Sequence, residues 1–149
     1  MDTFELAFVI VVIAILAAFL SALVYATNFG YQPPSVCSVY PAVQAFKPGI
    51  EEIQPGIYKV RIVAERFYFD PSKIILKNPK QVIFEVLSRD VLHGFEIVGT
   101  NVNVMILPYY TATFTWNVPQ DLKGDFLIIC NEYCGDGHQT MYAHLIIER

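Results

Sequence analysis

The chain has 149 residues, of which 54% are hydrophobic and 16% are charged, and its formal net charge is −4. Charged residues make up about 25% of an ordinary soluble protein, so part of this chain is expected to lie in lipid. No basic run is present to suggest a nucleic-acid-binding protein, and three cysteines without a C-x-x-C-H motif exclude a disulfide-rich miniprotein and covalent haem attachment.

The first predicted element is a transmembrane helix within residues 1–30. No Asp, Glu, Lys or Arg occurs from Leu6 to Phe46. A helix from Leu6 to Ala26 would be about 31 Å long, which matches a hydrocarbon core of about 30 Å. A cleaved signal peptide would have a basic flank and a shorter apolar core, whereas Asp2 and Glu5 precede this segment. We therefore expect an uncleaved anchor.

Residues 31–49 are predicted to form a proline-rich linker. The segment contains four prolines, Pro33, Pro34, Pro41 and Pro48. Proline favours an extended chain, so this segment would lead away from the membrane surface. Cys37 stands alone in it, without the small apolar context of a lipoprotein site, and is expected to be a free thiol without a role.

Residues 50–149 are predicted to form an all-β domain. Short runs alternate with a period of two between turn residues, which is typical of an antiparallel sandwich or barrel. The predicted strands cover residues 58–68, 73–77, 81–87, 94–98, 102–107, 111–118, 124–130 and 143–147. This spacing suits two packed sheets, with Phe114 and Trp116 in the core.

The chemistry-bearing motif, C-N-E-Y-C-G-D-G-H-Q-T-M, follows an apolar strand near the C-terminus. It contains Cys130, Cys134, His138 and Met141. Thiolate, imidazole and thioether together favour copper, because zinc does not recruit methionine and calcium and magnesium prefer oxygen. Without Cys130 the loop has the order of a blue-copper site, which needs a second histidine from elsewhere. His93, in D-V-L-H-G-F, is the candidate.

The second cysteine leaves several interpretations open. Cys130 would have no purpose in a single blue-copper site, whereas two thiolates can bridge two copper ions, each with one histidine and one weak ligand. The weak ligands would be Met141 and a backbone carbonyl of the loop. A Cys130–Cys134 disulfide would leave His138 and Met141 unexplained, and a zinc site with His93 and His138 fits the loop spacing poorly.

Three further residues are assigned more modest roles. Met105 is expected to be a packing or surface residue, and His144 to be an ordinary surface histidine in the last strand. Asp90 lies three residues before His93. It is predicted either to hydrogen-bond to that imidazole or to be a turn carboxylate.

The two motifs, at residues 90–95 and 130–141, resemble subunit II of the haem-copper respiratory oxidases, whose outer domain is a cupredoxin with the binuclear CuA centre. The resemblance implies an all-β, cupredoxin-like Greek-key sandwich or barrel over residues 50–149, with one N-terminal transmembrane helix. It implies two copper ions held by the residues that match the family motif, namely His93, Cys130, Glu132 through its backbone carbonyl, Cys134, His138 and Met141.

The single span and the stretch H-G-F-E-I-V-G-T-N-V-N-V-M-I-L-P resemble the B-type, or ba-type, branch. The tryptophan-rich cluster of A-type members is not evident, since Trp116 is the sole tryptophan. The resemblance implies that the chain accepts electrons from a c-type cytochrome and passes them to haem in subunit I, where O2 is reduced to water with proton translocation. The copper domain would lie outside the cytoplasmic membrane and the N-terminus inside.

Three rival functions and one proton route are also considered. A membrane-anchored blue-copper carrier would leave Cys130 unused, nitrous oxide reductase needs a large propeller domain, and a copper-delivery module would lack this pair of loops. Asp2 or Glu5 could help a proton enter subunit I. Alternatively, both are solvated acids at the membrane surface.

Overall fold

The computed structural model describes residues 2–30, 35–41 and 46–149, with the backbone alone for residues 29–30 and 35–41. The chain divides into two compact units, Met1–Pro33 and Pro34–Arg149.

The first unit contains helix α1, Thr3–Tyr25, followed by a π-helical turn, Ala26–Gly30. Asp2 caps the helix, because its Oδ1 accepts hydrogen bonds from the backbone N–H groups of Phe4 (3.0 Å) and Glu5 (2.8 Å). The Glu5 carboxylate accepts the Asp2 N–H in return, which completes a capping box. The helix is exposed on every side and is long and apolar enough to span a membrane. Both acids thus have a structural role, and proton uptake through either stays a hypothesis.

The second unit is built from β-strands. Within the described residues these are β1 Ser35–Pro41, β2 Gly49–Gln54, β3 Ile57–Glu65, β4 Tyr68–Asp70, β5 Lys73–Lys77, β6 Gln81–Ser88, β7 His93–Ile97, β8 Asn103–Ile106, β9 Tyr110–Asn117, β10 Gly124–Ile129 and β11 Tyr142–Glu148. A short 3-10 helix, His138–Thr140, lies between β10 and β11.

The strands form two sheets. In one sheet the order is β1-β9-β6-β3-β2, with β4 paired to β3, and in the other it is β5-β11-β10-β7-β8. Most neighbours are antiparallel, as predicted, but β3 and β6 are parallel, and so are β5 and β11. The prediction of an antiparallel sandwich or barrel thus holds for most strand pairs but not for these two. The chain leaves β3, crosses to the other sheet at β5 and returns, so β6 runs in the same direction as β3.

Alternate residues of both sheets form one core. Phe84 and Phe114 stack with their ring centroids 5.2 Å apart, and Phe95 lies 5.4 Å from Phe84. Trp116 is buried in the same cluster. The expectation that Phe114 and Trp116 belong to the core is confirmed.

The paired region begins earlier than the sequence indicates. Ser35–Pro41, in the predicted linker, pairs antiparallel with β9 as an edge strand, and β2 begins at Gly49. Proline is tolerated at a sheet edge because its missing N–H need not join a ladder, so Pro41 can lie at the end of this edge strand. Residues 31–34 and 42–45 of the predicted linker lie outside the described residues, as does the Cys37 side chain.

The predicted strand 58–68 is likewise two strands. A turn at Arg66 and Phe67 separates β3 from β4, and β4 folds back onto the end of β3. This turn lies beside the candidate metal site.

Candidate metal centre

His93 begins strand β7 and is fully buried. The residue after it, Gly94, allows the chain to approach the 131–132 loop closely. A Cβ atom at Gly94 would lie 1.9 Å from the Asn131 side-chain oxygen, 2.7 Å from the Asn131 backbone nitrogen and 2.8 Å from the Glu132 backbone nitrogen. Only glycine fits there without moving the loop. Glycine at this position thus sets His93 against the second motif.

Asp90 fixes the orientation of the His93 ring. Its Oδ1 lies 2.8 Å from His93 Nε2. Burial by itself raises the pKa of Asp90, but hydrogen bonds from His93 and from the N–H groups of Arg66 and Val91 lower it overall. The carboxylate therefore accepts, Nε2 donates, and Nδ1 is left to face the cysteines. The hydrogen-bonding role predicted for Asp90 is confirmed.

The second motif forms a closed loop between β10 and β11. Its ends are joined by a hydrogen bond from the Cys130 N–H to the Met141 carbonyl, 3.2 Å long. Gly135 adopts a φ of +131°, a conformation that side chains disfavour. The His138 N–H then donates to the Gly135 carbonyl at 3.0 Å. The loop thereby turns its sulfur and imidazole groups toward His93.

The donor atoms meet in two linked sets. The Sγ atoms of Cys130 and Cys134 lie 3.7 Å apart. Cys130 Sγ is 3.7 Å from His93 Nδ1 and 3.2 Å from the Glu132 backbone oxygen. Cys134 Sγ is 3.7 Å from His138 Nδ1 and 3.8 Å from Met141 Sδ. Each sulfur thus has its own imidazole and its own weaker donor.

These spacings suit ligands of a shared metal and rule out a disulfide in this conformation. A disulfide has its sulfur atoms about 2.05 Å apart, far less than the 3.7 Å between Cys130 and Cys134. Two sulfurs each about 2.3 Å from one tetrahedral ion are about 3.8 Å apart. His93, Cys130 and Cys134 are buried, and one ligand atom from each falls within 4.8 Å of the others.

The two thiols differ in acidity. Burial raises the pKa of Cys130, but hydrogen bonds with the His93 ring, the Gly94 N–H and the His138 ring more than offset it and lower the pKa overall. Burial and the neighbouring Cys130 sulfur raise the pKa of Cys134. Burial also lowers the pKa of His93, yet its bonds to Cys130 and Asp90 raise it on balance. One thiolate therefore forms readily, while the second needs a further positive charge.

Comparison with known proteins shows which proteins the chain resembles. A Thermus thermophilus protein named cytochrome c oxidase subunit 2 is 36% identical over 91 residues, which is 61% of this chain and 66% of that protein. A solved haem-copper terminal oxidase dimer contains a chain with a TM-score of 0.70 and 29% identity, covering 97% of this chain and 99% of its own length. These sequence and structure comparisons support a likeness to subunit II of cytochrome c oxidase.

Two further comparisons define the extent of this likeness. A second Thermus thermophilus protein of the same name matches over the same number of residues but over 53% of its length, so the match spans less than two thirds of either curated relative. The periplasmic domain of subunit II (CoxB) of Bradyrhizobium japonicum has a TM-score of 0.52 at 16% identity, covers 60% of this chain and 82% of its own length, and shares the fold. No family model matches.

The predicted fold, a cupredoxin-like all-β domain with one N-terminal apolar helix, is confirmed. The residues expected to stay outside the site do so. Met105 is 51% exposed on β8. His144 pairs with Asp125 on the sheet surface, Nδ1 to Oδ1 at 2.9 Å.

Sequence reasoning missed two residues that contact the site, Arg66 and Phe67. Arg66 donates two hydrogen bonds to Asp90, and the Phe67 ring lies against Gly135 and Gly137. The apolar alternation ran through both residues as one long strand, so nothing in the sequence marked a turn. Only the folded sheet brings this turn to the metal motifs.

Proposed function

We propose that this subunit II chain holds a binuclear copper centre at which electrons enter a terminal respiratory oxidase. The observation that carries the proposal is the doubling of the donor set. Cys130 and Cys134 lie 3.7 Å apart, and each has a separate imidazole at 3.7 Å. A blue-copper site uses one thiolate and two histidines, which would leave one buried thiol without a purpose.

The six proposed ligands divide between two copper ions. The thiolates of Cys130 and Cys134 would help to hold both ions. His93 and the Glu132 carbonyl would complete one side, and His138 and Met141 the other. The donor chemistry fits copper, because thiolate, imidazole and thioether are soft or borderline ligands. When bound, the pair supplies a one-electron acceptor whose charge is shared through the sulfurs.

The protein around these ligands favours fast electron transfer. His93, Cys130, Cys134 and Met141 are buried, so little water reaches them. Asp90 holds the His93 ring, and the loop is closed by the bond between Cys130 and Met141. Ligands held in this way change position little when an electron arrives, which lowers the reorganisation that transfer requires. Tyr133 is 72% exposed on the same loop, and its ring centroid lies 5.9 Å from that of His138.

The wider role follows the family resemblance. We propose that a c-type cytochrome donates the electrons and that this chain passes them to haem in subunit I, which reduces O2 to water with proton translocation. Helix α1 would anchor the chain in the cytoplasmic membrane, with the copper domain on the outer side and the N-terminus inside. The single span and the residues 93–108 support placement in the B-type branch.

The test measures copper stoichiometry and the electron paramagnetic resonance spectrum of the full chain, purified in detergent and loaded with copper. Two coppers per chain, with hyperfine splitting from both nuclei, support the proposal. One copper with splitting from a single nucleus refutes it and favours a membrane-anchored blue-copper carrier. Cys130→Ser and Cys134→Ser should each abolish the binuclear spectrum, while Cys37→Ser serves as the matched control and should leave it unchanged.

A further inference from the structure

The turn between β3 and β4, formed by Arg66 and Phe67, contacts both sides of the donor set. We propose that this turn is the positioning element of the metal centre, with Arg66 supporting the His93 side through Asp90 and Phe67 supporting the His138 side. The spectroscopic test of this proposal rests on the proposed copper function. A test on the copper-free chain distinguishes a failure of the positioning role from a failure of the copper function.

Arg66 holds Asp90 from the side opposite His93. Its backbone N–H and its side-chain Nε both donate to Asp90 Oδ2, at 2.9 and 3.2 Å. Asp90 Oδ1 accepts from His93 at 2.8 Å. Arg66 thus holds Oδ2, while Oδ1 accepts from both His93 and the Val91 N–H, the latter at 2.7 Å. A carboxylate held at both ends keeps the imidazole that it contacts in one orientation.

Phe67 supports the other half through direct contact with the loop backbone. A Cβ atom at Gly137 would lie 2.4 Å from Phe67 Cδ2 and 2.6 Å from its Cγ. A Cβ atom at Gly135 would lie 3.1 Å from the nearest atoms of the Phe67 ring. The half-buried ring also packs against the core. The segment between Cys134 and His138 therefore rests on a fixed aromatic surface.

The two contacts lie on adjacent residues, whereas the ligands come from distant parts of the chain. β3 and β6 are parallel neighbours with Ala64 opposite Ser88, which places the turn beside Asp90. His93 lies 37 residues before Cys130. One short turn thus reaches both motifs and sets how far apart their donor atoms lie.

Gly137 offers a sharp test of the Phe67 contact. Its φ of −100° and ψ of 8° lie in a turn region that alanine can adopt, so the Phe67 ring is the obstacle to a methyl group there. Phe67→Ala, Gly137→Ala and the double variant form a cycle in the full chain, with the rate of copper release to a chelator and the hyperfine pattern as readouts. We expect each single change to speed release about tenfold or more.

The cycle has a specific expected outcome. In the Phe67→Ala background, Gly137→Ala should change the release rate by less than about twofold, because the clash is gone. Gly135→Ala is the matched control: its φ of +131° makes alanine strained whether or not the ring is present, so Phe67→Ala should not suppress its effect. Equal effects of Gly137→Ala in both backgrounds, or no effect of Phe67→Ala, would overturn the proposal.

The copper-free chain separates this proposal from the proposed function. The rate at which an alkylating probe reacts with buried Cys134 should rise about tenfold in Phe67→Ala, because local opening becomes easier. In the copper-free chain, too, Gly137→Ala should change the alkylation rate of Cys134 much less in the Phe67→Ala background than in the wild-type background. If wild type binds no copper pair but the alkylation cycle behaves as described, the proposed function fails and the positioning role stands. An unchanged alkylation rate refutes the positioning role.

The Arg66 side is tested against Arg61, which lies on β3, the strand before the turn. Arg61 also pairs with carboxylates, Glu85 at 3.2 Å and Glu51 at 3.3 Å. Arg66→Ala should alter the nitrogen hyperfine coupling of one imidazole in the copper-loaded chain and lower the reduction potential, since a positive charge near the centre is lost. Arg61→Ala should change neither. Equal changes in the two variants would refute the role of Arg66.

Discussion

Replacing Asp90 by alanine isolates what the carboxylate does for His93. The substitution removes the acceptor for the His93 Nε2–H, which is fully buried and has no water to replace the lost bond. An unsatisfied buried donor costs about 1–3 kcal/mol. The Arg66 and Val91 donors that Asp90 also satisfies lie nearer the surface, and water can reach them. We therefore expect the copper-free chain to lose about 1–3 kcal/mol of unfolding free energy.

The same change should weaken copper binding. A group that orients a metal-bound histidine is worth about 10- to 100-fold in metal affinity. At about 1.4 kcal/mol per factor of ten, that range corresponds to about 1.4–2.8 kcal/mol, which agrees with the hydrogen-bond value. Asp90→Asn keeps an oxygen acceptor for His93 and removes the charge. Its unfolding free energy and its copper affinity should therefore both lie between those of wild type and of Asp90→Ala.

The assay pairs chemical denaturation of the copper-free chain with chelator competition for the copper-loaded one. Asp125→Ala is the matched control, because Asp125 makes an equivalent contact to His144 at 2.9 Å, with the two side chains 52% and 41% exposed. Exposed pairs of this kind contribute little, so we expect a change below about 1 kcal/mol and unchanged copper affinity. If Asp90→Ala and Asp125→Ala behave alike, the orienting role of Asp90 is wrong.

Four further predictions follow from the fold. Phe114→Ala should destabilise the chain by about 3–5 kcal/mol in denaturant titration, because it opens a cavity in the core. Gly94→Ala should abolish the binuclear spectrum by displacing the Asn131 backbone. A fragment starting at residue 47 should be less stable than one starting at 35, because it lacks β1 and exposes the β9 edge. Burial raises the pKa of Tyr58, so unfolding free energy should fall above about pH 10, and Tyr58→Phe should remove this loss.

The sequence predicts strands well where one face is buried and the other is not. In β6, Gln81–Ser88, buried and half-buried residues alternate along most of the strand, and the predicted boundaries are close to those observed. In β2, Gly49–Gln54, no residue is fully buried. An edge strand with both faces partly open has no periodic pattern, so sequence reasoning placed its residues in the linker or at the start of the domain.

The sequence singles out the proposed donor residues but not the residues that hold them in place. The ligand motif carries its own signal, since cysteine, histidine and methionine are uncommon and closely spaced in residues 130–141. Arg66 is an ordinary arginine, 24 residues before Asp90. Its contact depends on the parallel register of β3 and β6. That register follows from a crossover between sheets, which local alternation does not reveal.

The residues that hold the two donor loops in place affect how much the site would have to change to bind metal. Among the described residues, every buried side-chain nitrogen and oxygen has a hydrogen-bond partner without any ion. Cys130, Cys134 and their two histidines are already within 3.7 Å of one another in pairs. The loops that carry them are held by Gly94, Asp90 and the β3–β4 turn rather than by metal. A site held in this way would need little rearrangement to bind the proposed copper ions, and the same stiffness would keep the proposed ligands in place during electron transfer.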